Sequence, residues 1–253
     1  MNLLSRHALI VLLLWIALTV VGEIVVVRAD LFPLAAAEEA HTVDEAFRLL
    51  LILSVPVFAF VVSLLTYAVW RFRSRDEPSR DGPPIQSHRP LVIVWFLATT
   101  ALSIFMIVHP GITGMSELAA KDDEEVDLVV ELEAMRFAWR VSYPALNISR
   151  LNKELVLPVD KHVRFDVTSR DVIHSFWISA FRVKIDAVPG LVTTEYATPD
   201  RTGSFEDDFN LRLQCAELCG VGHAGMTVPV RVVEQGEFDA WVAENAKTAR
   251  RGH

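Results

Sequence analysis

Cysteine is scarce in this chain, with two residues in 253, Cys215 and Cys219. No Cys-x-x-Cys-His run occurs, which excludes covalently attached haem. A glycine-rich phosphate loop, a nucleophile elbow and a basic stripe are missing as well, so nothing points to nucleotide hydrolysis, serine catalysis or nucleic-acid binding. Positive charge is short too: 24 Lys and Arg stand against 32 Asp and Glu, for a formal net charge of −8. Most of that deficit lies from Glu117 onward, where 16 basic residues meet 23 acidic ones, a difference of seven.

Apolar residues are abundant instead. At 52% hydrophobic the chain is too apolar for an ordinary soluble protein, yet its second half is rich in charge, so it reads as part membrane and part soluble. Three apolar runs, 8–27, 47–70 and 90–109, each approach the ~20 residues that cross a bilayer as a helix. Three such runs in one half disfavour the alternative of buried helices in a soluble fold. The first follows Arg6 and His7 and precedes Ala35, Ala36 and Ala37, so residues 1–30 read as a cleaved signal peptide or as a retained first membrane helix, with length favouring retention. The other two make a helical hairpin within 45–112, and Pro56 falls where a membrane helix tolerates a kink. Their connecting loop, 71–89, holds five arginines, the excess that marks the cytoplasmic side. Residues 28–46 and the chain after the third run are therefore expected outside.

Beyond residue 117 the period changes to two. Segments 127–143, 154–159, 162–169, 172–178, 191–197, 204–214 and 227–233 alternate in the manner of half-buried strands, separated by Pro, Gly, Asn and Asp. They predict a β-sandwich over 117–236. In the tail, 237–253, Phe238, Trp241 and Val242 have helical spacing and predict a short packed helix.

Chemistry concentrates in one loop, CAELCGVGHAGM at 215–226, with His174 upstream in DVIHSFW. His223 and Met226 follow Cys219 at four and seven residues. Thiolate, imidazole and thioether together favour copper over harder cations. If both thiolates face one side, each can bridge two copper ions, with His174 and His223 capping one apiece and Met226 and the Glu217 carbonyl as weak outer ligands. A disulfide between Cys215 and Cys219 is the competing reading. Zinc is disfavoured, since methionine is a poor zinc ligand. Taken alone, His174 would be an ordinary core histidine.

DVIHSFW, KIDAVPG and C-x-E-x-C-x-x-x-H-x-x-M resemble subunit II of the haem-copper cytochrome c oxidases, and the resemblance runs over about 45–240. It implies two or three N-terminal transmembrane helices followed by an all-β, cupredoxin-like Greek-key sandwich with a dinuclear copper centre, CuA. It also implies electron entry from a c-type cytochrome on the periplasmic face of a bacterial-type cytoplasmic membrane. The acceptor would be haem in subunit I, where oxygen becomes water, with subunit III as a further partner. The chain itself would make no bonds. In the family the carboxylate of Glu217 would reach a magnesium or manganese ion shared with subunit I. MRFAWRVSYP, 135–144, resembles the strand whose tryptophan receives the electron; Phe137 takes that position here and Trp139 is retained, although alternating aromatics are also ordinary core. Asp171, Asp207, Asp208 and the acidic run 122–125 would steer a lysine-rich donor, or simply keep the surface solvated. Val92 departs from the pattern, standing three residues before Trp95 where relatives carry a glutamate at the mouth of a proton channel. Val92 and Phe137 together keep open the small subunit of a copper-dependent nitric oxide reductase of the same superfamily. A membrane-tethered copper-binding module is the alternative from another class.

Overall fold

A computed structural model describes residues 3–73 and 87–251. Most of the arginine-rich loop expected at 71–89 thus lies outside the described residues. Two compact units form, Met1–Leu31 with Glu45–Met115, and Phe32–Asp44 with Ser116–His253.

The first unit is helical. α1 covers Leu3–Arg28, α2 covers Glu38–Phe72 and α3 covers Arg89–Met106. Three spans, Arg6–Arg28, Glu38–Phe72 and Arg89–Asp122, are long and apolar enough to cross a membrane. Leu13, Val21, Phe58, Leu65 and Leu97 are all exposed, as lipid-facing positions require. α1 and α2 approach closely at Gly22, where a Cβ would lie 2.6 Å from Val55. Trp15 Nε1 donates to the carbonyl of Pro56 at 2.8 Å, so the polar edge of a half-buried indole is satisfied beside the proline. α2 starts ahead of the apolar run that begins at 47, since Glu38 and Glu39 suit a helix N-terminus. α3 opens with the His88 side chain accepting from Leu91 N at 3.2 Å and with Pro90 in its first turn. Its geometry breaks at His109, the residue before Pro110, and α4 follows over Thr113–Asp122.

The second unit is a sandwich of two sheets. In chain order its strands are β1 Leu128–Met135, β2 Ala138–Tyr143, β3 Ile148–Leu151, β4 Leu155–Pro158, β5 Val163–Ser169 and β6 His174–Ile178. β7 Val183–Ala187, β8 Thr193–Ala197, β9 Gly203–Ser204, β10 Arg212–Cys215 and β11 Thr227–Val233 follow. One sheet runs β3-β2-β1-β5-β8 and the other β4-β11-β10-β6-β7, with β9 beside β11. Alternation does what the sequence predicts: Val130, Leu132 and Ala134 of β1 and Val163, Phe165 and Val167 of β5 are fully buried, while the residues between them face outward. Segment 127–143 divides into β1 and β2 at Arg136 and Phe137, and most of 204–214 is turn. β3 and β7 go beyond the seven predicted segments. Each is too short for a clear period, and residues in left-handed conformation flank or precede them, Asn147 and Asn152 around β3 and Arg182 before β7.

α5, Gln235–Arg251, closes the sandwich. Its Phe238 and Trp241 are buried, and the Trp241 ring meets Tyr143 edge-on at 5.2 Å. Tyr143 is itself fixed by its hydroxyl, which donates to Val156 O and accepts from Val156 N, both at 2.9 Å. At the other side residues 32–44 form a strap. Ala36 N donates to Ala180 O at 2.8 Å, and Ala36, Ala37 and Ala40 are wholly buried. Arg182 holds the strap through the Asp44 carboxylate, at 2.8 Å from both Nε and Nη2, and through the carbonyls of Pro33 and Leu34.

Candidate metal centre

Three pieces of the second sheet meet at one end of the sandwich. His174 opens β6, Cys215 closes β10, and Met226 directly precedes β11. Pairing of β10 with β6 sets Cys215 against Phe176, and Ala216 N donates to Ser175 O at 2.9 Å. Cys215 N donates to Met226 O at 3.1 Å, which pins the two ends of the 215–226 loop together. Inside that loop Gly220 has φ +133°, outside the range of other residues, and His223–Gly225 makes a single tight turn. Gly222 lies against the Phe137 ring so closely that a Cβ there would overlap it.

The donors converge. Cys215 Sγ stands 3.7 Å from His174 Nδ1 and 3.9 Å from Cys219 Sγ. Cys219 Sγ stands 3.6 Å from His223 Nδ1 and 3.9 Å from Met226 Sδ. The carbonyl oxygen of Glu217 is 3.1 Å from Cys215 Sγ. Both cysteines are free, and their separation is nearly twice a disulfide bond length of about 2.04 Å. Sulfur and nitrogen donors bound to one tetrahedral metal at about 2.3 and 2.0 Å stand roughly 3.5 Å apart, and two such sulfurs roughly 3.8 Å. The observed spacings fit a bound soft metal without rearrangement. His174, Cys215 and Cys219 are the one compact group of metal-ligating side chains among the described residues, with ligand atoms all within 4.8 Å. His174, Cys215, Cys219 and Met226 are buried, His223 is half-buried, and Glu217 is exposed with its side chain outside the cluster.

A second layer orients His174. Its Nε2 lies 2.9 Å from Asp171 Oδ1 and donates to it, leaving Nδ1 as a bare lone pair directed at Cys215. Asp171 also accepts from Val172 N at 2.7 Å, Arg136 N at 2.8 Å and Arg136 Nε at 3.3 Å. Burial opposes its ionisation, but the hydrogen bonds from His174, Arg136 and Val172 outweigh that and hold the carboxyl well below the usual range. Cys219 moves the other way: burial first, then the neighbouring Cys215, push its thiol up to about 11. Without a metal the cluster therefore keeps that proton.

The remaining expected residues are spread around this core. Trp139 is fully buried, its ring edge-on to His174 at 6.4 Å, and its indole N–H has no partner among the described residues. Phe137 is half-buried against the ligand loop. Asp207 caps its own turn, accepting from Ser204 N at 2.9 Å and Ser204 Oγ at 2.8 Å, and Asp208 accepts from Asn210 N and Nδ2, both at 2.8 Å. Asp171 was singled out in the sequence for its charge alone; its bond to His174 is the feature missed, and its place three residues before the histidine was the available signal.

Soft donors gathered at one end of a β-sandwich, in a chain with three helices long and apolar enough to cross a membrane, define the class: a membrane-type protein with a candidate soft-metal centre. Residues 126–233 match the family described as cytochrome C oxidase subunit II, periplasmic domain. Cytochrome c oxidase subunit 2 of Synechocystis sp. is 29% identical, over 94% of this chain and 83% of the relative. The protein of the same name from Thermostichus vulcanus is 30% identical, over 87% of this chain and 80% of the relative. The solved periplasmic domain of subunit II of cytochrome oxidase of Bradyrhizobium japonicum is 34% identical, covers 49% of this chain and 97% of its own, and superposes with a TM-score of 0.46. The chain belongs to the cytochrome c oxidase subunit 2 family, and so to the electron-transfer subunits of oxidases.

Proposed function

We propose that this chain accepts single electrons from a c-type cytochrome at a dinuclear copper centre and hands them to haem in subunit I, where oxygen is reduced to water. The observation that carries the proposal is the convergence of six donors at metal-ligand spacings: His174, Cys215, the Glu217 carbonyl, Cys219, His223 and Met226. A bound copper pair supplies a one-electron site whose charge is spread over both metals. The protein's part is to hold those donors still. Pairing of β10 with β6 brings Cys215 beside the strand that opens at His174, the Cys215–Met226 backbone bond closes the loop, and Asp171 holds the His174 proton on Nε2. Burial of both cysteines keeps water from the thiolates, so little solvent reorganises when the charge changes.

Trp139 stands edge-on to His174 and Phe137 packs against the ligand loop, and we assign them the route of electron entry. The exposed carboxylate of Glu217 is assigned to a magnesium or manganese ion at the boundary with subunit I. Asp207, Asp208 and Asp171 belong to the docking face for the donor. We place the sandwich on the periplasmic side of the cytoplasmic membrane, with the arginine-rich loop inside and the helices against subunits I and III. With Val92 on α3, either a partner subunit supplies the proton-channel carboxylate or the proton route differs from that of relatives with a glutamate there.

Copper content and electron paramagnetic resonance of the purified full chain test the centre. Two coppers and a seven-line hyperfine pattern are expected. Cys215→Ser or Cys219→Ser abolishes both. A single copper with four lines, or a mutant with unchanged stoichiometry and spectrum, rejects the shared centre.

A further inference from the structure

The helical unit contains a groove that electron transfer does not use. It lies between α1 and α2, has a volume of about 600 Å³, and is walled by Val11, Leu12, Trp15, Phe60 and Leu64 among others. Along α1 it runs from His7 to Trp15, eight residue rises or ~12 Å. One leaflet of a bilayer has about 15 Å of hydrocarbon. The apolar trough is thus about one leaflet deep.

Its basic end has a different chemistry. Antiparallel packing brings the start of α1 to the end of α2, and His7 Nδ1 hydrogen-bonds the Tyr67 hydroxyl there. The His7 ring also faces Phe72 at 5.9 Å, closing that end with aromatic surface. Arg6 adjoins His7, and Arg71 and Arg73 flank Phe72, with the Arg71 guanidinium 5.7 Å from the Phe72 ring centre. All three arginines are exposed, and none is in an ion pair among the described residues. A partner helix would match the apolar wall but leave three guanidiniums without counter-charge. An amphiphile with a phosphate satisfies both ends.

We propose that this groove binds an anionic phospholipid, one acyl chain lying along Leu12 and Leu64 and the headgroup phosphate held by Arg6, Arg71 and Arg73. The same arginines set the orientation of the chain, but orientation alone requires no preference between lipids at the groove.

The test uses the intact oxidase in detergent with phosphatidylglycerol or phosphatidylcholine carrying a photoactivatable acyl chain, and peptide mapping of the adducts. Adducts from phosphatidylglycerol are expected on residues 7–15 and 60–72, in roughly tenfold excess over phosphatidylcholine. The triple change Arg6→Gln, Arg71→Gln, Arg73→Gln removes that preference. Leu12→Trp, which fills the trough and leaves the charges in place, removes labelling by both lipids and serves if the triple variant does not assemble. Equal labelling by the two lipids, an unchanged preference in the triple variant, persistence of labelling in Leu12→Trp, or no adduct because another subunit fills the groove would each overturn the proposal. So would a mature subunit that lacks residues 1–30.

Discussion

Asp171 shows how much of a metal centre lies behind its ligands. The carboxylate touches no donor sulfur, yet it fixes which nitrogen of His174 is free. Asp171→Ala is expected to lower copper affinity about 10- to 100-fold, in the range for losing such an outer partner. Asp171→Asn retains an acceptor oxygen for His174 and should lose less; competition with a copper chelator measures both. Equal affinity in Asp171→Ala and the parent chain would show that His174 is held by packing alone. The convergence of the six candidate ligands was legible in the sequence because five of them sit at fixed offsets on one loop. The Asp171 bond was not, since it depends on a turn that folds residue 171 back under 174. Phe137 against Gly222 was equally hidden, because contact between two loops far apart in the chain leaves no local pattern.

At the scale of elements, periodicity served best where one face is buried and one wet. β1, β5 and β11 were readable for that reason, whereas β3 and β7 are short strands at sheet edges, with little alternation to see. β8 carries a further consequence. Burial, then the charges of Asp122 and Glu39, push Glu195 up to about 7, from its ordinary 4.5. A carboxyl whose pKa is raised by folding favours the native state while it is protonated. That contribution is complete below about pH 4.5 and is lost as pH rises through about 7. Glu195→Gln should therefore stabilise the sandwich at pH 8, by on the order of 2 kcal/mol, and leave it unchanged near pH 4. Thermal unfolding at the two pH values measures it, and equal shifts at both would mean that Glu195 ionises freely in the native fold.

For the whole molecule, charge is distributed unevenly: the sandwich half holds seven of the eight net negative charges. Association with a lysine-rich c-type cytochrome should accordingly slow by about tenfold or more as ionic strength rises from roughly 0.02 to 0.2 M, because screening shortens the reach of the acidic surface. Stopped-flow rates would show it, and a salt-independent rate would leave docking to apolar contacts. The division into membrane and soluble halves was plain from composition. The place of residues 32–44 was not, since a stretch with neither a long apolar run nor strand alternation gives no sign that it belongs to the sandwich.

That strap also sets an order of events. Ala36 and Ala37, small residues of the kind a signal peptidase selects, have no exposed surface once Ala36 N is bonded to Ala180 and Arg182 has closed on Asp44. A protease must draw its target out as an extended, accessible strand, and the finished sandwich does not offer one. Were the chain processed at this point, cleavage would be a race during biogenesis: a peptidase arriving before Ala180 and Arg182 emerge would find a substrate, and one arriving later a locked segment.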